Sequence, residues 1–213
     1  MEFLPADLQA YVEAHSDGES GLLADLNRDT YTKVMMPRML SGHLQGRMLS
    51  MLSHMIQPKC ILEIGTYTGY SAICMAEGLV PEGKLITLDI NEELEAMVRD
   101  YFEKAQLTEK IDYRIGNAMD LIPEIDATFD LVFIDADKKN YTNYFNLVFD
   151  KVRPGGFIIA DNVLWSGKVV QTEKKTDKDT QAILDFNRFV QEDDRVENVL
   201  FPVRDGLMVI RKK

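Results

Sequence analysis

Nowhere does this sequence hold an apolar run approaching the ~18 residues that a membrane span requires. The start Met1-Glu2-Phe3-Leu4-Pro5 lacks the basic residues and continuous apolar stretch of an export signal, so the chain reads as cytoplasmic, with no membrane partner. Basic charge is also scarce: 24 Lys and Arg face 35 Asp and Glu, a formal net charge of −11, and no Lys/Arg-rich run offsets it locally. Such a chain repels phosphate backbones, which excludes nucleic acid as the expected partner. There are only two cysteines, Cys60 and Cys74, spaced neither as a metal pair nor as a redox motif and set among apolar neighbours as buried thiols. The three histidines, His15, His43 and His54, fall in helical segments without ligand spacing.

Hydrophobic residues make up 46% of the 213 positions, enough to give one globular domain a substantial core. Residues 4–57 carry helical periodicity, with Leu4, Leu8, Tyr11 and Val12 at one end and Met48, Leu49, Leu52, Met55 and Ile56 at the other. Short apolar runs then recur at 60–64, 85–88, 111–115, 131–134 and 157–160, separated by helix-like segments. That alternation predicts a doubly wound α/β domain with a mostly parallel sheet, its core spanning 58–213 and preceded by a helical cap over 1–57. Runs at 196–201 and 207–210 are joined by five residues, too few for a parallel crossover, so the chain should end in an antiparallel pair and complete seven strands. The polar stretch from Ser166 to Thr180 reads as a loop, either a solvated connection or a lid over the site.

In open sheets of this kind ligands bind beyond the carboxyl ends of the strands, where strand order reverses. After the first strand come Gly65-Thr66-Tyr67-Thr68-Gly69-Tyr70-Ser71, a glycine turn leading into a helix. Tyr67 breaks the Gly-x-Gly-x-x-Gly pattern of a dinucleotide enzyme. Glu63, on the strand just before, suits a cationic ligand such as the sulfonium and ammonium of S-adenosylmethionine (SAM) better than a phosphate. The glycines also have a purely structural reading as a strand-to-helix turn. The second strand ends at Asp89, close to the spacing at which an acid reaches the ribose of a nucleoside, although with Asn91 it could simply cap the next helix. The third ends in Gly116-Asn117-Ala118, small enough for a flat base to lie against the backbone.

Strands four and five end in Asp135-Ala136-Asp137-Lys138 and Asp161-Asn162. Two carboxylates and an amide carbonyl with no nearby His or Cys make a hard site for Mg²⁺, Mn²⁺ or Ca²⁺, and a cation would relieve the repulsion between adjoining acids. The alternative is helix capping by Asp135 and Asp137 beside an ordinary turn. Lys138, three residues beyond Asp135, is the candidate base for a hydroxyl whose proton the cation would loosen; otherwise it is a surface lysine opening a helix.

These segments, with 39–47, Val163-Leu164-Trp165 and Asp205-Gly206, resemble the cation-dependent O-methyltransferases, the family of catechol and caffeoyl-CoA O-methyltransferases, especially its bacterial members. The resemblance implies a Rossmann-like class I SAM methyltransferase fold and methyl transfer to a hydroxyl of a small catechol-type or caffeoyl-type aromatic acceptor. It implies that Glu63, Gly65, Thr66, Tyr67, Ser71, Asp89, Ala118, Asp135 and Asp137 hold SAM, with Met39 and Ser41 closing over its methionine part. By the same resemblance Asp135, Asp161 and Asn162 bind the divalent cation, Mg²⁺ foremost, Lys138 abstracts the proton beside Asp135, and the chain forms a homodimer. One departure stands out: counting back from Asp205-Gly206, the acid with which catechol enzymes grip the second hydroxyl falls at Val199. The competing classes are a nicotinamide-dependent oxidoreductase and a SAM-binding regulatory protein without turnover.

Overall fold

The computed structural model describes residues 4–171 and 176–213. Helices α1 (Ala6–Ala14), α2 (Gly21–Lys33) and α3 (Gly42–Ile56) precede the first strand. The core then alternates β1 (Cys60–Ile64), α4 (Tyr70–Ala76), β2 (Lys84–Asp89), α5 (Glu95–Lys104), β3 (Ile111–Ile115), α6 (Ala118–Glu124), β4 (Phe129–Ile134), α7 (Tyr141–Phe149) and β5 (Val152–Asp161). It closes with α8 (Lys178–Gln191), β6 (Val196–Phe201) and β7 (Leu207–Lys212). The seven strands lie in the order β3-β2-β1-β4-β5-β7-β6, and β7 alone runs against its neighbours.

Strand order reverses between β1 and β4, the two strands on which a crossover arrives from opposite sides. Both are apolar on both faces, as a sheet covered twice requires. Leu62 and Ile64 of β1 and Val132 and Ile134 of β4 pack against α6, α7 and α8. Ile61, Leu131 and Phe133 point the other way, into a core shared with Leu23 and Leu26 of α2, Leu49 of α3, and residues of α4 and α5. The N-terminal helices α2 and α3 therefore share a core with the sheet; α1 buries no side chain.

Two elements differ from the sequence reading. β5 starts at Val152 instead of 157, because Val152 already pairs with Phe129 of β4 and the ladder resumes at Phe157 after an irregularity that takes up Pro154-Gly155-Gly156. The stretch after Trp165 is not a continuous loop: Trp165–Val170 form 3-10 turns interrupted by a kink at left-handed Ser166 and Gly167, and Asp177, accepting a hydrogen bond from the Thr180 amide, caps α8. Residues 172–175, on which the lid expectation centred, lie outside the described residues. Cys74 is fully buried, whereas Cys60 is only half-buried, being the first residue of β1 near the lower rim of the sheet.

Candidate active site

The tips of β2, β1 and β4 are stitched together before any side chain is considered: the Gly65 amide donates to Leu88 O of β2 and the Asp135 amide to Ile64 O of β1, both at 2.9 Å. Gly65 is required here. Its φ is +104°, and a Cβ would sit 2.0 Å from the Asp135 carbonyl oxygen. Gly69, at φ +86°, opens α4 where a Cβ would strike the Phe102 ring. The turn between them, with Tyr67 also left-handed at φ +50°, forms one wall of two adjoining pockets.

One pocket collects residues of the expected nucleoside end: Gly65, Tyr67, Asp89, Ala118, Asp135 and Asp137 all line it, with a volume of about 870 Å³. Asp89 accepts from the Tyr67 amide (2.7 Å) and the Asn91 amide (2.8 Å), while the cap on the following turn is supplied by Asn91. Asp137 is held by the Tyr144 hydroxyl (2.5 Å) and the Asn140 amide (2.7 Å) and makes no side-chain cap. Glu63 behaves differently from an acid offered to a cationic ligand. It lines neither pocket and lies wholly buried beneath the glycine turn, receiving hydroxyl hydrogen bonds from Ser71 and Thr87, each at 2.5 Å. Burial raises its pKa to about 8. What reaches the pocket is Ser71, which Glu63 orients, along with Thr66, whose hydroxyl meets Thr87.

The second pocket, about 380 Å³, holds the expected chemical end, and Met39 and Ser41 close its side. Ile134 pairs with Ala160, so Asp135 and Asp161 stand on adjoining strand tips. Lys138 is only 9% exposed, which rules out the reading of it as a surface lysine. Its Nζ donates to Asp135 Oδ1 (3.0 Å), Asn162 Oδ1 (2.7 Å) and the Tyr141 hydroxyl (2.6 Å). Asp161 accepts from Gln45 Nε2 (2.6 Å) and from the Asn162 amide (2.7 Å). Burial first, and the Asp135 charge second, push the Asp161 carboxyl well above the usual carboxylate range. Asp135 and the Asn162 amide oxygen thus converge on an ammonium group, and Asp161, buried in the same pocket, has no cationic side chain among the described residues in contact with it. That donor chemistry fits a hard divalent cation. Among the described residues no three His, Cys, Asp or Glu side chains gather as a metal site.

Several site residues had no role in the sequence reading. Tyr141 is fully buried, accepts from Lys138 and donates to Asp161 O at 2.9 Å. Its spacing three residues after Lys138 on a helix was the available signal. Gln45 and Arg204 reach the site from 116 residues before Asp161 and from the β6–β7 turn, separations no local pattern reveals. Trp165, at φ +46°, sets its ring 5.8 Å from Lys138 Nζ. Val199 is 58% exposed on the edge strand β6 and lines neither pocket, so its departure from the catechol pattern carries no information about the acceptor.

A family model described as O-methyltransferase matches residues 13–213. Caffeoyl-CoA O-methyltransferase 1 of Arabidopsis thaliana is 37% identical over 179 residues, covering 79% of this chain and 69% of that protein. An O-methyltransferase from Bacillus cereus, solved in complex with SAH, superposes with a TM-score of 0.89 at 30% identity, over 97% of each chain. The SAH-bound methyltransferase PaMTH1 of Podospora anserina gives 0.89 at 29% identity, over 97% of this chain and 94% of that one.

Proposed function

Because this chain belongs to the O-methyltransferase family, we propose that it transfers the methyl group of SAM to a hydroxyl of a small catechol-type or caffeoyl-type aromatic acceptor with the help of a divalent cation. The observation that carries this reading is the buried meeting of Asp135, Lys138, Asp161 and Asn162 beside the glycine turn. An oxidoreductase has no use for such a set, and the turn lacks its glycine pattern. A regulatory protein without turnover would have no reason to bury a lysine among acids. SAH in the B. cereus and P. anserina relatives supports SAM as the donor. Asp89 and Ala118 would hold its nucleoside; Ser71, Met39 and Ser41 would hold its methionine part.

Asp135, Asp161 and Asn162 would bind the cation, Mg²⁺ foremost, which when bound supplies charge that orients the acceptor hydroxyl and eases loss of its proton. Lys138 takes that proton at Nζ as the neutral amine, the form that a bound divalent cation would favour over the ammonium, with Tyr141 keeping the amine aimed at the pocket. The walls around Gly65, Trp165 and Ser41 hold donor and acceptor in line and restrict water, so the rate arises from positioning and charge stabilisation. We also infer a homodimer, to be tested by sedimentation velocity, and a cytoplasmic enzyme; no helix among the described residues is long and apolar enough to cross a membrane. The direct test is transfer of labelled methyl from SAM to a catechol panel by the parent and by Lys138→Ala. Labelled product from the parent, lost in the variant while SAM binding persists, is expected; equal rates for the two proteins would overturn the assignment of the base.

A further inference from the structure

Ten arginines are present in the sequence, and seven of them pair with acids, in keeping with the excess of carboxylates. Among the described residues Arg38, Arg188 and Arg204 have no acidic partner within ion-pair distance, and two of these three, Arg38 and Arg204, line the pocket that holds Lys138. Arg38 has no hydrogen bond at all among the described residues. Arg204 is anchored through one nitrogen only: Nη1 donates to Gln45 Oε1 (2.9 Å) and Leu40 O (3.3 Å), which leaves the rest of the fork free. Arg204 also holds a left-handed backbone, φ +48°, at the β6–β7 turn.

The charges of the lining make the same point. Asp135, Asp161 and Asp205 are balanced by Lys138, Arg38 and Arg204, so this pocket is neutral in a chain that carries −11 overall. A divalent cation and a sulfonium donor would make it strongly positive, and an anionic acceptor would offset that charge. Gln45 fixes the distance. It bridges Arg204 to Asp161 through hydrogen bonds of 2.9 and 2.6 Å across one amide group, so the guanidinium nitrogen lies within roughly 8 Å of the Asp161 carboxylate, about the span of one substituted ring.

We propose that the acceptor is a hydroxylated aromatic acid whose carboxylate is received by Arg204 and Arg38 while its ring hydroxyl faces Asp135 and Lys138. This rests on the methyltransferase reading above and narrows it: an ester or thioester of the same acid leaves the two arginines without an anion close to the ring. Arginine suits the task, because its planar fork matches a carboxylate.

The test compares 3,4-dihydroxybenzoate with its methyl ester and its amide, at saturating SAM and Mg²⁺, in the parent, Arg38→Met, Arg204→Met and Arg204→Lys. The parent is expected to favour the acid over the ester by about tenfold or more in kcat/KM, mainly through KM, the scale of one charge-assisted hydrogen bond. In the two Met variants that ratio falls towards one, and Arg204→Lys recovers part of it. The ratio is decisive because loss of Arg204 also frees Gln45 and slows both substrates together. Equal use of acid and ester by the parent, or a preference that survives in both Met variants, overturns the arginine assignment alone. Failure to methylate any of the three compounds overturns the aromatic-hydroxyl reading and this inference with it.

Discussion

Lys138 is almost out of solvent and donates to two oxygens and a phenol hydroxyl, a buried charged cluster of the kind that occurs at functional sites. Replacing it by Met removes the proton acceptor; kcat should fall by roughly 10²–10⁴, with the Kd for SAM within a few fold of the parent. A variant that turns over within twofold of the parent would remove Lys138 from the mechanism. Glu63 provides a separate test through pH. Its pKa is about 8 folded, against an ordinary value of about 4.5. Across that window the folded chain keeps a proton that the unfolded chain has lost, so the contribution of Glu63 to stability is full below about pH 4.5 and is lost as pH rises to 8. The size is on the order of 2–4 kcal/mol. Glu63→Gln should flatten this slope in denaturant melts of the ligand-free protein at pH 5 and pH 8.5; an equal slope in both proteins would mean that Glu63 is ionised in the fold. The sequence located Glu63 at the right turn but not its direction, because facing outward or inward on a strand tip depends on Ser71 and Thr87, which come from other elements.

Helix α3 joins the N-terminal segment to the site, and Gly46 is one of the residues that set its closeness to α4. A Cβ on Gly46 would lie 2.6 Å from the Tyr70 ring and 2.8 Å from Cys74 Sγ. Gly46→Val should push α3 outward, cost about 1–3 kcal/mol, and carry Gln45 and Ser41 off the pocket, so that melting temperature and kcat fall together. A variant with normal stability and activity would mean that this contact is soft. Strand positions were legible because buried parallel strands read as runs of Ile, Leu, Val and Phe, and the glycine turn because only glycine tolerates Gly65's approach to Asp135. The course of β5 through Pro154-Gly155-Gly156 was not, since proline and glycine signal an end to pairing. Nor were the 3-10 turns after Trp165, where the amide of left-handed Ser166 is held by Asp205, 39 residues on.

At the scale of the molecule, the order β3-β2-β1-β4-β5-β7-β6 brings three acid-bearing tips, those of β2, β4 and β5, to one edge and leaves the chemistry at the reversal between β1 and β4. The alternation of strands and helices in the sequence foretold that edge, and with it Asp89, Asp135 and Asp161. It did not foretell which distant residues would converge there, because Gln45 and Arg204 arrive through packing of α3 and of the β6–β7 turn. The central claim is that Asp135, Asp161 and Asn162 hold a divalent cation on which methyl transfer depends. Exhaustive chelation of the purified protein, followed by methyl transfer from SAM to 3,4-dihydroxybenzoate with and without restored Mg²⁺, tests it most directly. The account predicts that chelation abolishes turnover, that Mg²⁺ restores it in the parent, and that Asp161→Ala needs far more Mg²⁺ or does not recover. Undiminished turnover after chelation would contradict it.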